Sequence, residues 1–275
     1  DAAPAGGPPP PLPPLPRDAE AVLVDAVDQA MRDLLAWREC PESWWDDCKA
    51  TSVSGLGHVQ MYMKKRPFPD GAGADPALWA GAAVFEAVTL QELKYLTAAH
   101  EGCAKLRFDP SLDTFETRLL IPSPWGAPVK FLRTRTRPML LGLISARQVD
   151  TFTSERPLPG GGGSVEAGFG LRSPRLGSPR AAACAALREM QAEPLLPGMV
   201  QAIDLVSGFI FEPLDGPAQA GGRGRYRLWY FLSSEAGGGV PKWASERGVS
   251  TAIVQYFASA HKELLRARSA GDLPP

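Results

Sequence analysis

From residue 112 to residue 233 apolar residues recur mainly at every second position, and over residues 243–268 the spacing changes to three and four. That switch constrains the fold more than any other feature. A period of two belongs to strands half-buried on one face, and spacings of three and four to one stripe along a helix. Strands are expected at 114–121, 129–137, 147–154, 164–171, 199–206, 209–213 and 225–233. Ser207-Gly208 lies between two of these and reads as a hairpin turn, while the glycines at 160–163 separate two others. In the closing helix Val249, Ile253, Tyr256, Phe257, Ala260 and Leu264 form the apolar stripe; Gln255, Ser259, Lys262, Glu263 and Arg266 lie largely opposite. A sheet of that many strands tends to curl, and its concave face must be filled. The last helix is the natural filler. The expectation is an α+β domain, a curved antiparallel sheet wrapped around a long C-terminal helix.

The upstream residues add helices. Residues 18–37 carry Leu23, Val27, Ala30, Met31, Leu34 and Leu35 at helical spacing, with Asp18 as a candidate N-cap. Residues 48–64 read as one or two strands, 67–76 as a loop and 80–87 as a buried strand. Residues 89–99 read as a helix opened by Thr89 with Glu92 three positions on, a capping box. A short helical stretch reaches residue 107, and the alanine-rich 181–192 reads as a helix between strands. Before all of this, residues 1–17 are Pro-rich and favour polyproline II. They read as a plain linker or as an SH3 or WW ligand. The organisation expected is a disordered arm at 1–17, a single domain at 18–268 and a tail at 269–275.

Composition narrows the function. A formal net charge of −1 argues against a general nucleic-acid binder, which needs a basic excess. Four cysteines without a CxxC spacing fit a reduced, cytoplasmic setting. The most apolar run, residues 139–144, is far below the roughly 20 residues that span a bilayer. Because the chain begins at Asp1, nothing is read from the lack of a leader. Catalytic signals are thin. His58, His100 and His261 have no zinc-ligand spacing, and neither GxSxG nor a P-loop occurs. His261 reads as a solvated residue on the flank of the last helix. No metal and no cofactor are expected, and the chain does not read as an enzyme.

The corner before the last helix carries the strongest motif, "SSEAGGGVPKW". Gly237, Gly238 and Gly239 can take positive φ and turn the chain sharply. Pro241 suits the first helical turn and keeps Val240 extended. The segment resembles the C-terminal signature of the START family of lipid-binding domains, roughly Asp-Pro-Gly-Gly-x-Ile-Pro-x-Trp. Glu235 and Ala236 depart from it; Gly237, Gly238, Val240, Pro241 and Trp243 keep it. Three further places agree in order. "LRFDPSLDTFETRLL" (106–120) looks like the family's Arg-x-x-Trp-Asp segment, with Phe108 near the Trp. "PMLLGLISARQV" (138–149) looks like the apolar loop before its Arg-Asp pair, with Arg147 matching and Gln148 not. "MVQAIDLVSGFIFEPL" (199–214) resembles the hairpin that follows. The resemblance covers residues 40–265 and is that of a divergent member.

What the resemblance implies is a helix-grip fold around one apolar cavity. Such a domain binds one lipid, a sterol, phospholipid or sphingolipid, and transfers it between membranes or senses it. Wall residues would be Phe169, Ile203, Leu205, Leu228 and Tyr230, and lid residues Val249, Ile253, Tyr256 and Phe257. Taken alone, these apolar faces fit plain core equally. Met139, Leu140, Leu141 and Leu143 would form a mobile lip that touches the membrane, or would pack beneath the last helix. Arg147, Arg118 and Glu116 are candidate polar groups inside, each needing a partner if buried. Gly237, Gly238, Gly239 and Pro241 would be a lid hinge or a static corner. Arg133, Arg135 and Arg137 share one strand face beside the lip, solvated or meeting anionic head groups. Partners would then be a lipid, a transiently touched membrane surface and an SH3- or WW-type domain, with no nucleic acid. A helix-grip cyclase or hydrolase, and a non-catalytic module recruited by the arm, are the alternatives.

Overall fold

Among the residues described, ten strands form one sheet. The structure, a computed structural model, describes residues 12, 14–67, 76–100, 102–138, 145–176, 184–216, 222–238, 240 and 242–273. The segment 139–144, Gly239, Pro241 and most of the Pro-rich arm therefore lie outside the described residues.

The chain opens with α1 (Arg17–Arg38). The hairpin β1 (Asp47–Val53) and β2 (Gly57–Lys64) follows, then β3 (Leu78–Val88). Next come α2 (Leu90–Thr97) and α3 (Lys105–Phe108). The meander β4 (Leu112–Ile121), β5 (Val129–Thr136), β6 (Arg147–Pro157) and β7 (Ser164–Gly170) leads to α4 (Ala185–Ala192). β8 (Val200–Gln201), β9 (Ile203–Pro213) and β10 (Gly224–Glu235) complete the sheet, and α5 (Lys242–Ala270) closes the chain. The sheet order is β1-β2-β3-β10-β9-β7-β6-β5-β4, with the short β8 beside β6; among the described residues the long neighbouring strands are antiparallel and only β8 runs parallel, to β6. No helix among the described residues is long and apolar enough to cross a membrane.

Each face of the sheet carries a helix. On one, α1 buries Leu23, Val27, Ala30, Met31 and Leu34 against Phe131, Phe152, Val165, Ala167, Phe169, Val206 and Ile210. On the other, α5 buries Ile253, Tyr256, Phe257, Ala260 and Leu264 against Met61, Ala83, Phe85, Phe209, Phe211, Tyr226 and Leu228. Gly81 admits α5 so closely that a Cβ there would lie 2.5 Å from Ile253 and 2.8 Å from Phe257.

Three local expectations are corrected. Ser207-Gly208 is not a turn, since β9 runs unbroken through it. A Cβ on Gly208 would sit 2.2 Å from the Glu166 carbonyl oxygen and 2.6 Å from Leu34, so the glycine serves close approach. Asp18 is not the N-cap: α1 starts after Pro16 and Asp18 lies in its first turn, where a carboxylate suits the helix dipole. His261 is half-buried, its ring 6.3 Å from Phe85, and burial lowers its pKa. The capping box at α2 forms with both bonds, Glu92 N donating to Thr89 Oγ1 (3.1 Å) and Thr89 N to Glu92 Oε2 (2.8 Å).

Candidate functional site

Strand alternation decides which side chains face α5. On β9 and β10 the inward positions are aromatic or aliphatic. Phe209 stacks on Tyr230 at 4.7 Å between ring centroids, and Tyr256 of α5 closes on both, at 5.7 and 5.1 Å. On β6 and β7 the same face is polar. Val165, Ala167 and Phe169 of β7 point to α1, so Glu166 points the other way. Glu166 stands opposite Glu155 in the β6–β7 register. Lys105 of α3 reaches into the same region, its Nζ 5.5 Å from the Phe209 ring, 5.6 Å from Tyr256 and 5.8 Å from Phe115. Asp204 of β9 accepts a hydrogen bond from Ser207 Oγ at 3.1 Å.

Glu166, Asp204 and Tyr230 lie deep in the molecule, yet each keeps an accessible fraction of its surface. A group satisfies both conditions when it borders a cleft or an internal space. The lining around these groups is apolar on β10 and α5, polar on β6, β7 and α3, and mixed on β9, which carries both Phe209 and Asp204. Its electrostatics follow from depth. Burial first, then the Glu155 charge, pushes the Glu166 carboxyl up to about 7. Burial pushes Asp204 up to about 6. The phenols of Tyr230 and Tyr256 are raised by burial, so both stay protonated donors at neutral pH.

The expected site residues divide. Leu228, Ile253, Tyr256 and Phe257 come together in the α5 cluster, and Tyr230 and Val249 pack against it. Leu205 is buried outside that cluster, and Ile203 is half-buried at the start of β9. Phe169 is corrected: it belongs to the core beneath α1, 5.8 Å from Phe152, because the drier face of β7 is the one α1 covers. Arg118 and Glu116 are also corrected. They pair with each other at 3.4 Å, and Arg118 with Glu193 at 3.3 Å, in a network that includes Arg133 and Asp150. Glu116 stands opposite Arg133 in register, and Arg133 shares the β5 face of Val129 and Phe131, which is the α1 side. Arg133 is therefore buried rather than free for head groups. Arg135 pairs with Glu116 at 3.4 Å, and Arg137 is exposed, 3.8 Å from Asp113. Lys105, Glu155, Glu166 and Asp204 were not anticipated. Glu166 and Asp204 each stand between apolar neighbours on a strand, a signal shared by every solvated strand face; Glu155 lies between Ser154 and Arg156, and Lys105 lies on α3, so neither carries even that signal.

Arg147 is buried but at the corner before α5. Its Nε donates to the Ala236 carbonyl at 2.7 Å and its Nη1 to the Ser145 carbonyl at 2.5 Å. Burial lowers its pKa, and no carboxylate lies within ion-pair distance among the described residues. Its partners are thus carbonyl dipoles. The corner itself needs glycine: Gly237 and Gly238 have φ of +67° and +64°, and a Cβ on Gly237 would lie 2.2 Å from the Gln201 carbonyl oxygen. Arg147→Leu should leave both carbonyls short of a donor and cost about 1–3 kcal/mol in urea unfolding. Unchanged stability would show that the corner holds without it.

No family model matches the sequence, and no curated protein matches it. Solved structures do match in shape. Human StAR-related lipid transfer protein 5 has a TM-score of 0.66 at 15% identity, over 90% of this chain and 99% of that one. Human STARD10 gives 0.60 at 15% identity, over 89% and 82%. The human StarD13 (DLC2) lipid transfer and protein localization domain gives 0.54 at 14% identity, over 84% and 95%. By fold, then, the chain is START-like, an antiparallel sheet gripping its C-terminal helix.

Proposed function

We propose that this chain binds one lipid in the space between the α5-facing side of the sheet and helices α2, α3 and α5, and that it transfers or senses that lipid without catalysing a reaction. The observation that carries this is the two-sided lining. Phe209, Leu228, Tyr230, Tyr256 and Phe257 offer an apolar wall, and Lys105, Glu166 and Asp204 a polar one. An amphiphile has the same division, and a pocket that is mostly apolar with a few convergent polar groups suits a small ligand. Solved structures of the same fold bear lipid-transfer names. Exchange with a membrane, through the apolar segment 139–144, belongs to the same proposal, as does a cytoplasmic location.

Native mass spectrometry of the protein from a lipid-rich host, repeated after incubation with mixed-lipid vesicles, tests the reading. One lipid per chain is expected, released on denaturation and identifiable by mass. A bare protein mass under both conditions would overturn it.

A further inference from the structure

The polar wall is richer in acceptors than in donors. Glu155 and Glu166 face each other across β6 and β7, an arrangement of like charges that is ordinarily destabilising. Glu155 is answered at the rim by Lys94 of α2, 2.5 Å away. Glu166 has no such answer: no basic side chain lies within ion-pair distance among the described residues, and Lys105 and Lys130 act on it from further off. Lys105 is held over the rings of Phe115, Phe209 and Tyr256. The Thr153 hydroxyl is shared with the Ala167 carbonyl, 3.2 Å away. Among the described residues, Asp204 has only the Ser207 hydroxyl as a close donor. A deep carboxylate that borders a cavity without a counter-ion in contact lacks a partner that a ligand can supply.

We propose that Glu166 reads the polar end of the bound lipid and accepts from a hydrogen-bond donor there, an amine foremost and a hydroxyl second, rather than from a carboxylate or phosphate. This rests on the lipid-binding reading above. A carboxylate or phosphate would add a third negative group beside Glu155 and Glu166. An ammonium would pair with Glu166 and lie near the ring faces that already receive Lys105.

The choice has a pH signature. The groups facing Glu166 are Glu155 on β6, Lys130 on β5, Lys105 on α3 and Tyr256 on α5, with the Thr153 hydroxyl beside it. Of these Tyr256 stays protonated, its pKa raised by burial. The carboxyl titrates near 7 in the empty protein. An amine binds its ionised form, so affinity should rise with pH through that range. Ideal linkage allows a gain of up to about 30-fold between about pH 5.5 and about pH 8.

Three single-chain amphiphiles of one length, ending in an amine, an alcohol or a carboxylate, should be titrated into the full chain across that range. The wild type should take the amine most tightly, with the rise in affinity. Glu166→Gln, checked for an intact melting transition, should flatten the rise and bring amine affinity at the alkaline end down to the acidic value. Glu39→Gln, at an exposed carboxyl beyond the end of α1 and outside the proposed site, should keep the profile. A carboxylate probe that binds better than the amine, or an unchanged profile in Glu166→Gln, would overturn this assignment alone. No binding by any probe would overturn the lipid-binding reading with it.

Discussion

Gly208→Ala is expected to destabilise the domain by about 3 kcal/mol or to prevent its folding. The added Cβ meets the Glu166 carbonyl oxygen at 2.2 Å, Leu34 at 2.6 Å and the Ala167 Cα at 2.9 Å. Two of these three are backbone atoms of the neighbouring strand and cannot rotate away. The third belongs to α1, so relief would require separating α1 from β9 or β7 from β9. Both movements open the core of Phe152, Val165, Phe169 and Ile210. Gly224→Ala is the matched control, because a Cβ there meets nothing within 4 Å. Urea unfolding of the two variants should separate them clearly. Equal stabilities would mean that the β7–β9 spacing gives way more easily than close-packed interiors normally do.

The second large effect is expected at Arg133. Its Nε donates to Asp150 at 2.8 Å and its Nη2 to Glu193 at 2.8 Å, with the Arg133 and Asp150 side chains 4% and 8% exposed. Burial alone would lower the Arg133 pKa, but the two carboxylates more than reverse it. Arg133→Met removes the cation and leaves the buried Asp150 carboxylate without an ion-pair partner among the described residues, while Glu193 keeps Arg118; breaking such a buried pair typically costs about 3–5 kcal/mol. Arg133→Met with Asp150→Leu removes the buried pair as a unit and should recover much of the loss. A double variant no better than the single would show that the arginine acts by packing. The pH response has a definite sign. Burial opposes ionisation of Glu193, but Arg133 and Arg118 hold its pKa below the usual carboxylate value. That contribution is present above the unfolded-state pKa and is lost as pH falls through the lower folded value. In Arg133→Met the acid-side loss should shrink.

These two sites show what a sequence discloses. The helix at Thr89 was legible because a capping box is built from residues three apart, and nothing distant alters it. The strand character of 199–213 was equally plain, but Gly208 was not. A turn and a close approach of two backbones both ask for glycine, and only the neighbour across the gap distinguishes them. Phe169 failed for a related reason. Alternation separates a strand's two faces but does not say which helix covers each, and this chain has amphipathic helices at both ends. The apolar face of β7 went to α1, leaving Glu166 on the side of the proposed ligand. Arg133 and Arg135 join one ion-pair network through Glu116, Arg118 and Glu193, yet Arg133 is buried because Glu193 arrives from the end of α4, far along the chain. Local chemistry was readable; the identity of the covering element was not.

One arrangement bears on how α5 can move. Its C-terminal half is tied down by two buried carboxylates. Glu263 receives Arg107 of α3 at 2.9 Å, and Arg268 donates to Glu92 of α2 at 2.8 Å. Glu263 is the one buried charged side chain described on the helix, and it lies past Tyr256 and Phe257. At its other end the helix rises from Gly237 and Gly238, whose turn Arg147 steadies through Ala236. Mechanically this is a beam clamped at one end. Near Leu264 a moving helix has to break the ion pairs of Glu263 and Glu92, whereas Ile253 and Phe257 meet the sheet through apolar contact. A tilt about that clamp would displace the end nearest the glycines most. Tyr256 sits between, where a modest tilt of the whole is felt as a smaller change of gap over the Phe209 and Tyr230 rings.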